Sequence, residues 1–470
     1  MPYALGIDLG TARTTAAVSH NRRDSWSAPE IVPLDPAGDR PGVASVLYLT
    51  SDDAVEVGES AIQRGATEPE RVARDFLDRI GDEVPLALGD QYYPAETLAA
   101  ALVAWVVDRV EEHEGSPASH LVVTHPVGWG VHRRTVLQAA LRDLNLPDVT
   151  MLPRPVAAAE AYAATERLEV GQEIAVYSLG ASRFEAAVLR RGSFGFELCG
   201  HADSADVLGG TLFDDMVAEH AAAELGELPD EPARMAALRA SCVDAKERLS
   251  TAVAVTIPTP PGSKKATVLL NRSDFDGMIR PVIEHTVRIL QRAIQGSGTD
   301  TDALRAVVLV GGCAHVPLIT ELVTAAVRVR VAATEDPTTA IACGAALAGG
   351  RVAKPTVRAQ PLPVTPTESV TGHTDLMRFD DLDAEVADIG PPPPRPPVEI
   401  APLDPPARGL ARLTRRARGG ADVDELDREE RSWDFDDTDD KDSDRGSDRG
   451  SDLDEKPRRR RRPTEDEDDE

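Results

Sequence analysis

Two stretches of this chain repeat one design, and that repetition constrains the fold more than any other feature. GIDLGTARTTAAV (residues 6–18) and AVYSLGASRFEAAV (residues 175–188) each read as a β-rich run, a tight glycine-bearing turn and a second β-rich run. Gly10 and Gly180 give each turn the backbone freedom it needs. Such a repeat predicts an internal duplication: two lobes, one hairpin in each, with both turns facing a shared cleft. Around the hairpins, the short β-rich runs YALGID, HLVVTHP, EIAVYSL and AVVLVGG alternate with Ala- and Leu-rich segments of helical period, such as AETLAAALVAWVVDRVEEH and RRTVLQAALRDL. Alternation of this kind predicts an α/β protein whose parallel or mixed sheets are covered by helices.

The pattern stops near Gly350. Beyond it come PLPVTP, PPPPRPP, LARLTRRARGG, DDTDDKDSDRGSDRGSD, RRRRRP and TEDEDDE. Segments this poor in apolar residues cannot bury enough surface to offset chain entropy, so residues 351–470 are expected to form a disordered tail behind a folded body of residues 1–350. PPPPRPP is a candidate polyproline ligand, and Arg458 to Arg462 form a basic block; both are candidate docking segments for protein partners or simple solvating spacers. The formal net charge of −29 repels nucleic acid and anionic lipid, which excludes both as general partners. Cys199, Cys242, Cys313 and Cys343 are widely spaced with no CxxC pair, which fits reduced thiols and a cytoplasmic location. The N-terminus lacks a basic-then-apolar leader, and no apolar run approaches the ~20 residues that span a bilayer.

In the first hairpin Asp8 ends a buried strand, and the amides and hydroxyls of Thr11, Thr14 and Thr15 are candidate donors to phosphate oxygens. Asp8 is also a candidate ligand for hydrated Mg²⁺, which favours carboxylate and water. An ordinary hairpin, in which Asp8 satisfies amides of its own turn, accounts for the same residues.

Other stretches bear on that choice. GIDLGTARTTAAV, VGESAIQRGATEPERVARDFLDRIG, HLVVTHPVGW, LPRPVAAAEAY, AVYSLGASRFEAAV, LGGTLFDDMV, CVDAKERLS, VVLVGGCAHVPLI and DPTTAIACGAAL resemble, in order and spacing, the ATPase domain of the 70-kDa heat-shock (DnaK-like) family across nearly all of residues 3–350. The resemblance implies the actin-like ATPase fold: two lobes, each with a ribonuclease-H-like core, around a nucleotide cleft.

Carried over residue by residue, it implies a damaged site. Asp8, Gly10 and Thr11 match the first phosphate loop, and Ala12 replaces a threonine. Asp8 is the one clear catalytic survivor. Ile62 is read at the place of the lysine that positions the hydrolytic water, Arg154 at that of a metal-shell glutamate, and Ser178 at that of an aspartate near the metal. In the second turn Gly180, Phe184 and an acid at Glu185 survive, Ala181 and Ser182 replace glycines, and Arg183 replaces a threonine near the γ-phosphate. On the nucleotide-binding side, Gly209 and Gly210, Lys246 and Ser250, and the pair Gly311 and Gly312 match the family, whereas Val243, Glu247, Cys313, His315 and Thr338 do not. ATP or ADP is the implied ligand. Mg²⁺ is left with Asp8 and Glu185 as a thin shell. Arg154 and Arg183 either bind an anion through forked hydrogen bonds without a metal, or turn outward or pair with Asp8 and Glu185 and close the site.

The family's chaperones continue through a leucine-rich linker into a peptide-binding β-sandwich. PLPVTPTESVTGHTDLMRFDDL resembles neither, so a built-in client domain is not expected. Three functions follow: a chaperone-type ATP-binding protein whose hydrolysis is weak or lost, a nucleotide- or anion-responsive pseudo-ATPase scaffold, and a purely structural interaction module.

Overall fold

The computed structural model describes residues 1–352, apart from 24, 36–37, 39, 52–53, 147, 205, 227–230, 262 and 264. The expected tail, with PPPPRPP and the Arg458–Arg462 block, lies outside the described residues.

Both hairpins form as the sequence predicts. Strand β1 (Tyr3–Leu9) is buried at every position, as a central strand with both faces covered must be. It pairs antiparallel with β2 (Arg13–Arg22), where Leu9 faces Thr14, and parallel with β3 (His120–His125), where Gly6 faces Val122. Strand β4 (Val149–Pro153) extends that sheet beside β3, and three two-residue strands also pair with β2 or with its extension. The second sheet repeats this plan. Strand β5 (Glu173–Leu179) pairs antiparallel with β6 (Phe184–Gly192), where Leu179 faces Phe184, and parallel with β8 (Leu304–Val310). Edge strands β7 (Gly195–Asp203) and β9 (Val331–Ala333) complete the order β7-β6-β5-β8-β9. A hairpin followed by two parallel strands therefore occurs once in each lobe, which is the duplication read from the sequence.

Helices cover both sheets, giving the mixed α/β architecture expected. In the first lobe, α1 (Ala95–Glu114) and α2 (Val131–Asp143) share one core with Leu5, Ile7 and Val18. In the second, α4 (Gly210–Leu225), α5 (Pro232–Arg248), α6 (Arg272–Gly296) and α7 (Pro317–Val327) share another, in which Phe213 and Phe275 meet edge to face at 6.3 Å.

Two further helices join the lobes. Helix α3 (Arg154–Thr165) packs on the second sheet and α8 (Ala340–Val352) on the first, and the two cross tightly. Their small residues, from RPVAAAEAY and AIACGAALAGG, permit this approach. A Cβ on Gly344 would lie 1.7 Å from the Ala157 carbonyl oxygen, and one on Gly6 would lie 2.2 Å from the Ala346 nitrogen. Ala157, Ala158 and Ala345 share a core with Val122 from one sheet and Val176 and Val308 from the other, so the joint is a packed interior. Among the described residues no helix is long and apolar enough to cross a membrane.

Candidate functional site: two facing turns at the lobe boundary

The turn after β1 is stapled from behind. Ser45 Oγ donates to the Gly10 carbonyl at 2.6 Å, and the Ser45 amide donates to the Ala12 carbonyl at 3.0 Å. Gly10 is required here, because a Cβ would stand 2.3 Å from the Arg13 carbonyl oxygen. Thr14 is fully buried with its Oγ1 2.9 Å from Ser45 Oγ, and Thr15 is buried inside β2. The Thr14 hydroxyl is thus taken by Ser45 and the Thr15 hydroxyl is buried without a hydrogen-bond partner, whereas Thr11 lines the gap; Ala12 is exposed and brings no side-chain donor. Arg13 turns to the carbonyls of Pro41 and Gly42.

The turn after β5 is closed from the other side. The Gly180 and Ala181 carbonyls accept the amides of Gly210 and Thr211, at 3.0 and 2.8 Å, where α4 begins. Gly209, at φ 147°, makes this approach possible, since its Cβ would lie 2.4 Å from the Gly180 oxygen. Two of the helix's leading N–H groups, which would otherwise suit an anion, are thereby consumed.

Between the turns lies a charged centre that the sequence only half disclosed. Arg154 opens α3 and points back at β1. Its Nε donates to Asp8 Oδ1 at 3.2 Å, its Nη2 donates to the Leu9 carbonyl, and Thr124 Oγ1 donates to the same Asp8 oxygen at 2.6 Å. Both charged side chains are nearly out of water, 11 % and 12 % exposed. Across the gap, Glu185 accepts the Val127 amide at 2.8 Å through Oε1, while its buried Oε2 has no hydrogen-bond partner. Burial pushes the Glu185 carboxyl above the usual carboxylate range, with Arg154 pulling the other way. One guanidinium thus serves two buried acids.

A hydrated Mg²⁺, which takes one or two carboxylates beside its waters, would have to share Asp8 with a resident cation, since Asp8 Oδ1 already has two donors, one of them the Arg154 guanidinium. No group of three metal-capable side chains occurs among the described residues.

Arg183 pairs with Asp78, not with Glu185, at the water boundary. Its Nε lies 2.5 Å from Asp78 Oδ1, and the other oxygen of Asp78 is 3.0 Å from Ser182 Oγ. Ser182 Oγ is also 2.9 Å from Thr11 Oγ1, and its one proton can serve either neighbour. Asp78 was not anticipated, being one acid among 80 with no spacing to mark it. Ile62, which stands at the place implied for the water-positioning lysine, packs with Val46, Tyr48 and Val72 in a separate cluster. The side chains that reach the turns from this part of the chain are those of Leu77 and Asp78, and neither is a lysine. Between the turns lies a cavity of about 10 Å³ lined by Leu9, Thr11, Leu77, Asp78, Arg154 and Arg183 among others, about enough for one water.

Of the residues read on the adenosine side, Lys246 and Gly210 meet. Lys246 Nζ lies 2.8 Å from Asp214 Oδ1 and donates to the Gly210 carbonyl at 3.1 Å, with Ser250 half-buried just beyond α5. Gly311, at φ 91°, donates its amide to the Pro337 carbonyl, and a Cβ there would meet the Leu179 oxygen at 2.4 Å. Gly312 is exposed beside it. Cys313 donates to the Gly180 carbonyl, and burial pushes its thiol up to about 11, so it packs as an uncharged group. Glu247, read as a loss of a basic residue, makes an ion pair of 2.5 Å with Arg40 of the other lobe. Thr338 hydrogen-bonds Asp336 through both its amide and its hydroxyl.

His125 stacks on Trp129 at the edge of the gap and is 2 % exposed. Its Nδ1 is 2.7 Å from the Pro126 carbonyl, which only accepts, so Nδ1 carries the proton. Burial lowers its pKa from 6.5 to about 4. Because the folded value is depressed, the stabilisation is present above pH 6.5 and is lost as pH falls towards 4. A shift of that size corresponds to about 3 kcal/mol. Urea titrations at pH 7 and pH 4.5 are expected to show a smaller difference in His125→Phe than in wild type; equal differences would mean that this histidine does not set the acid limit.

Comparison with known proteins agrees with this geometry. The family described as Hsp70 protein matches residues 82–371. Among curated relatives, the chaperone protein DnaK of Nitrosopumilus maritimus (strain SCM1) is 24 % identical over 367 residues, covering 75 % of this chain and 57 % of its own length. The chain thus spans little more than half the length of that relative. With the duplicated hairpins and a family match over residues 82–371, the chain belongs to the Hsp70 family, whose nucleotide-binding domain has the actin-like ATPase fold.

Proposed function

We propose that residues 1–350 are an Hsp70-type nucleotide-binding domain that works as a pseudo-ATPase: it responds to an adenine nucleotide weakly, independently of Mg²⁺, and turns it over slowly or not at all. The observation that carries this reading is the Arg154–Asp8 pair, which places a resident cation on the one retained catalytic carboxylate. The adenosine-side residues Lys246 and Gly210 meet, which supports a retained nucleotide response. The filled phosphate space supports the alternative, a purely structural module. Partners reached through residues 351–470 belong to the same proposal, with PPPPRPP as the first segment to delete in a pull-down.

Calorimetry of the full chain with ATP and ADP, in Mg²⁺ and in EDTA, tests it. Wild type is expected to give the same modest affinity in both. Arg154→Glu returns an acid beside Asp8 and is expected to make binding depend on divalent metal. Wild-type binding that EDTA abolishes would overturn the proposal, and an absence of binding under every condition would favour the structural module.

A further inference from the structure

We infer that the two lobes are latched to each other across the gap by the protein's own side chains, so that this domain takes its closed arrangement without a nucleotide. The first lobe contributes Thr11, Asp78 and the Val127 amide; the second contributes Ser182, Arg183 and Glu185. Asp78 is the centre of the latch, since one carboxylate takes a charge-assisted bond from Arg183 through one oxygen and faces Ser182 through the other. Two of the three second-lobe groups, Ser182 and Arg183, are positions at which the chain departs from its family, where a glycine and a threonine are implied. Neither of those residues supplies a side-chain cation or reaches as far. The lobes that a bound ligand would draw together are here bridged directly.

The Asp78–Arg183 pair is about 27 % exposed on both sides, so it lies at the water boundary and can open without unfolding either core. At the far end of the gap, Arg40 and Glu247 make a second bridge, but both are close to half exposed and such a pair contributes little on its own. The latch is therefore concentrated at the two turns. It does not depend on the nucleotide reading above, because every group in it belongs to the chain.

The Val127 N–H donates across the lobe boundary, so its hydrogen exchange reports lobe separation. In the nucleotide-free full chain this amide is expected to be protected. Asp78→Ala is expected to speed its exchange at least tenfold, with the thermal midpoint of the body little changed. Arg183→Ala should do the same, and the double variant should add nothing, since the two residues act as one pair. The exchanged pair Asp78→Arg with Arg183→Asp should restore protection. Unchanged exchange in Asp78→Ala, or fully additive effects of the two single variants, would overturn the latch. A fast Val127 amide in the wild-type protein would do so as well.

Discussion

Steady-state ATP hydrolysis by the full chain is expected to run at least ~10²-fold below that of an Hsp70 with an intact metal shell, and to be indifferent to EDTA. Phosphoryl transfer depends on a cation that neutralises developing charge and on groups that fix the attacking water, and loss of one such electrostatic contact typically costs ~10²–10³-fold. Here Arg154 holds the carboxylate that would face a metal. Ser178 stands where the family implies an aspartate, and the side chains reaching the turns from the first lobe include Leu77 and Asp78 but no lysine. A guanidinium can neutralise charge, yet it cannot activate or position a water as a coordinated metal does. A coupled-enzyme assay at saturating ATP measures this directly. A rate near that of an intact relative, abolished by Asp8→Ala, would show that other residues have taken over the chemistry.

Arg154→Ala is expected to destabilise the body by about 3–5 kcal/mol at pH 7, the range seen when one member of a buried ion pair is removed. Asp8 would lose its charged partner and Glu185 the nearby cation that offsets its burial. The deficit has a definite pH dependence. Glu185 has a folded pKa raised above its ordinary value, so its contribution favours the folded state at low pH and is lost as pH rises above the usual carboxylate range; removing Arg154 raises it further. The variant's deficit should therefore shrink between pH 7 and pH 5. Chemical denaturation at both values measures it, and a loss below about 1 kcal/mol, or one that grows as the pH falls, would contradict the role assigned to this guanidinium. Pairing Arg154→Ala with Asp8→Asn should recover part of the loss, because the stranded charge is then gone.

The amino-acid sequence by itself determined the architecture and much of the site's outline. Alternation of two kinds of local period placed β1, β2, β5 and β6, since side-chain direction along a strand or helix depends only on near neighbours. Glycines at Gly10, Gly209 and Gly311 marked places where chain must approach chain, and each proves to have a carbonyl oxygen within 2.5 Å of where a Cβ would stand. The substitutions at Arg154 and Arg183 were equally plain. Their meaning was not. Whether an arginine meets a phosphate, the solvent or an acid depends on which side chain the other lobe or the next element brings to it. Arg183 finds Asp78, which is 105 positions away in the chain, and Arg154 finds Asp8, which is 146 away. The same limit gave Thr14 to the gap, because pattern and spacing cannot tell a hydroxyl that faces Ser45 behind the turn from one that faces the cleft. Only the crossing of α3 and α8, which fixes how the two sheets stand to each other, decided that the turns would be joined by their own side chains.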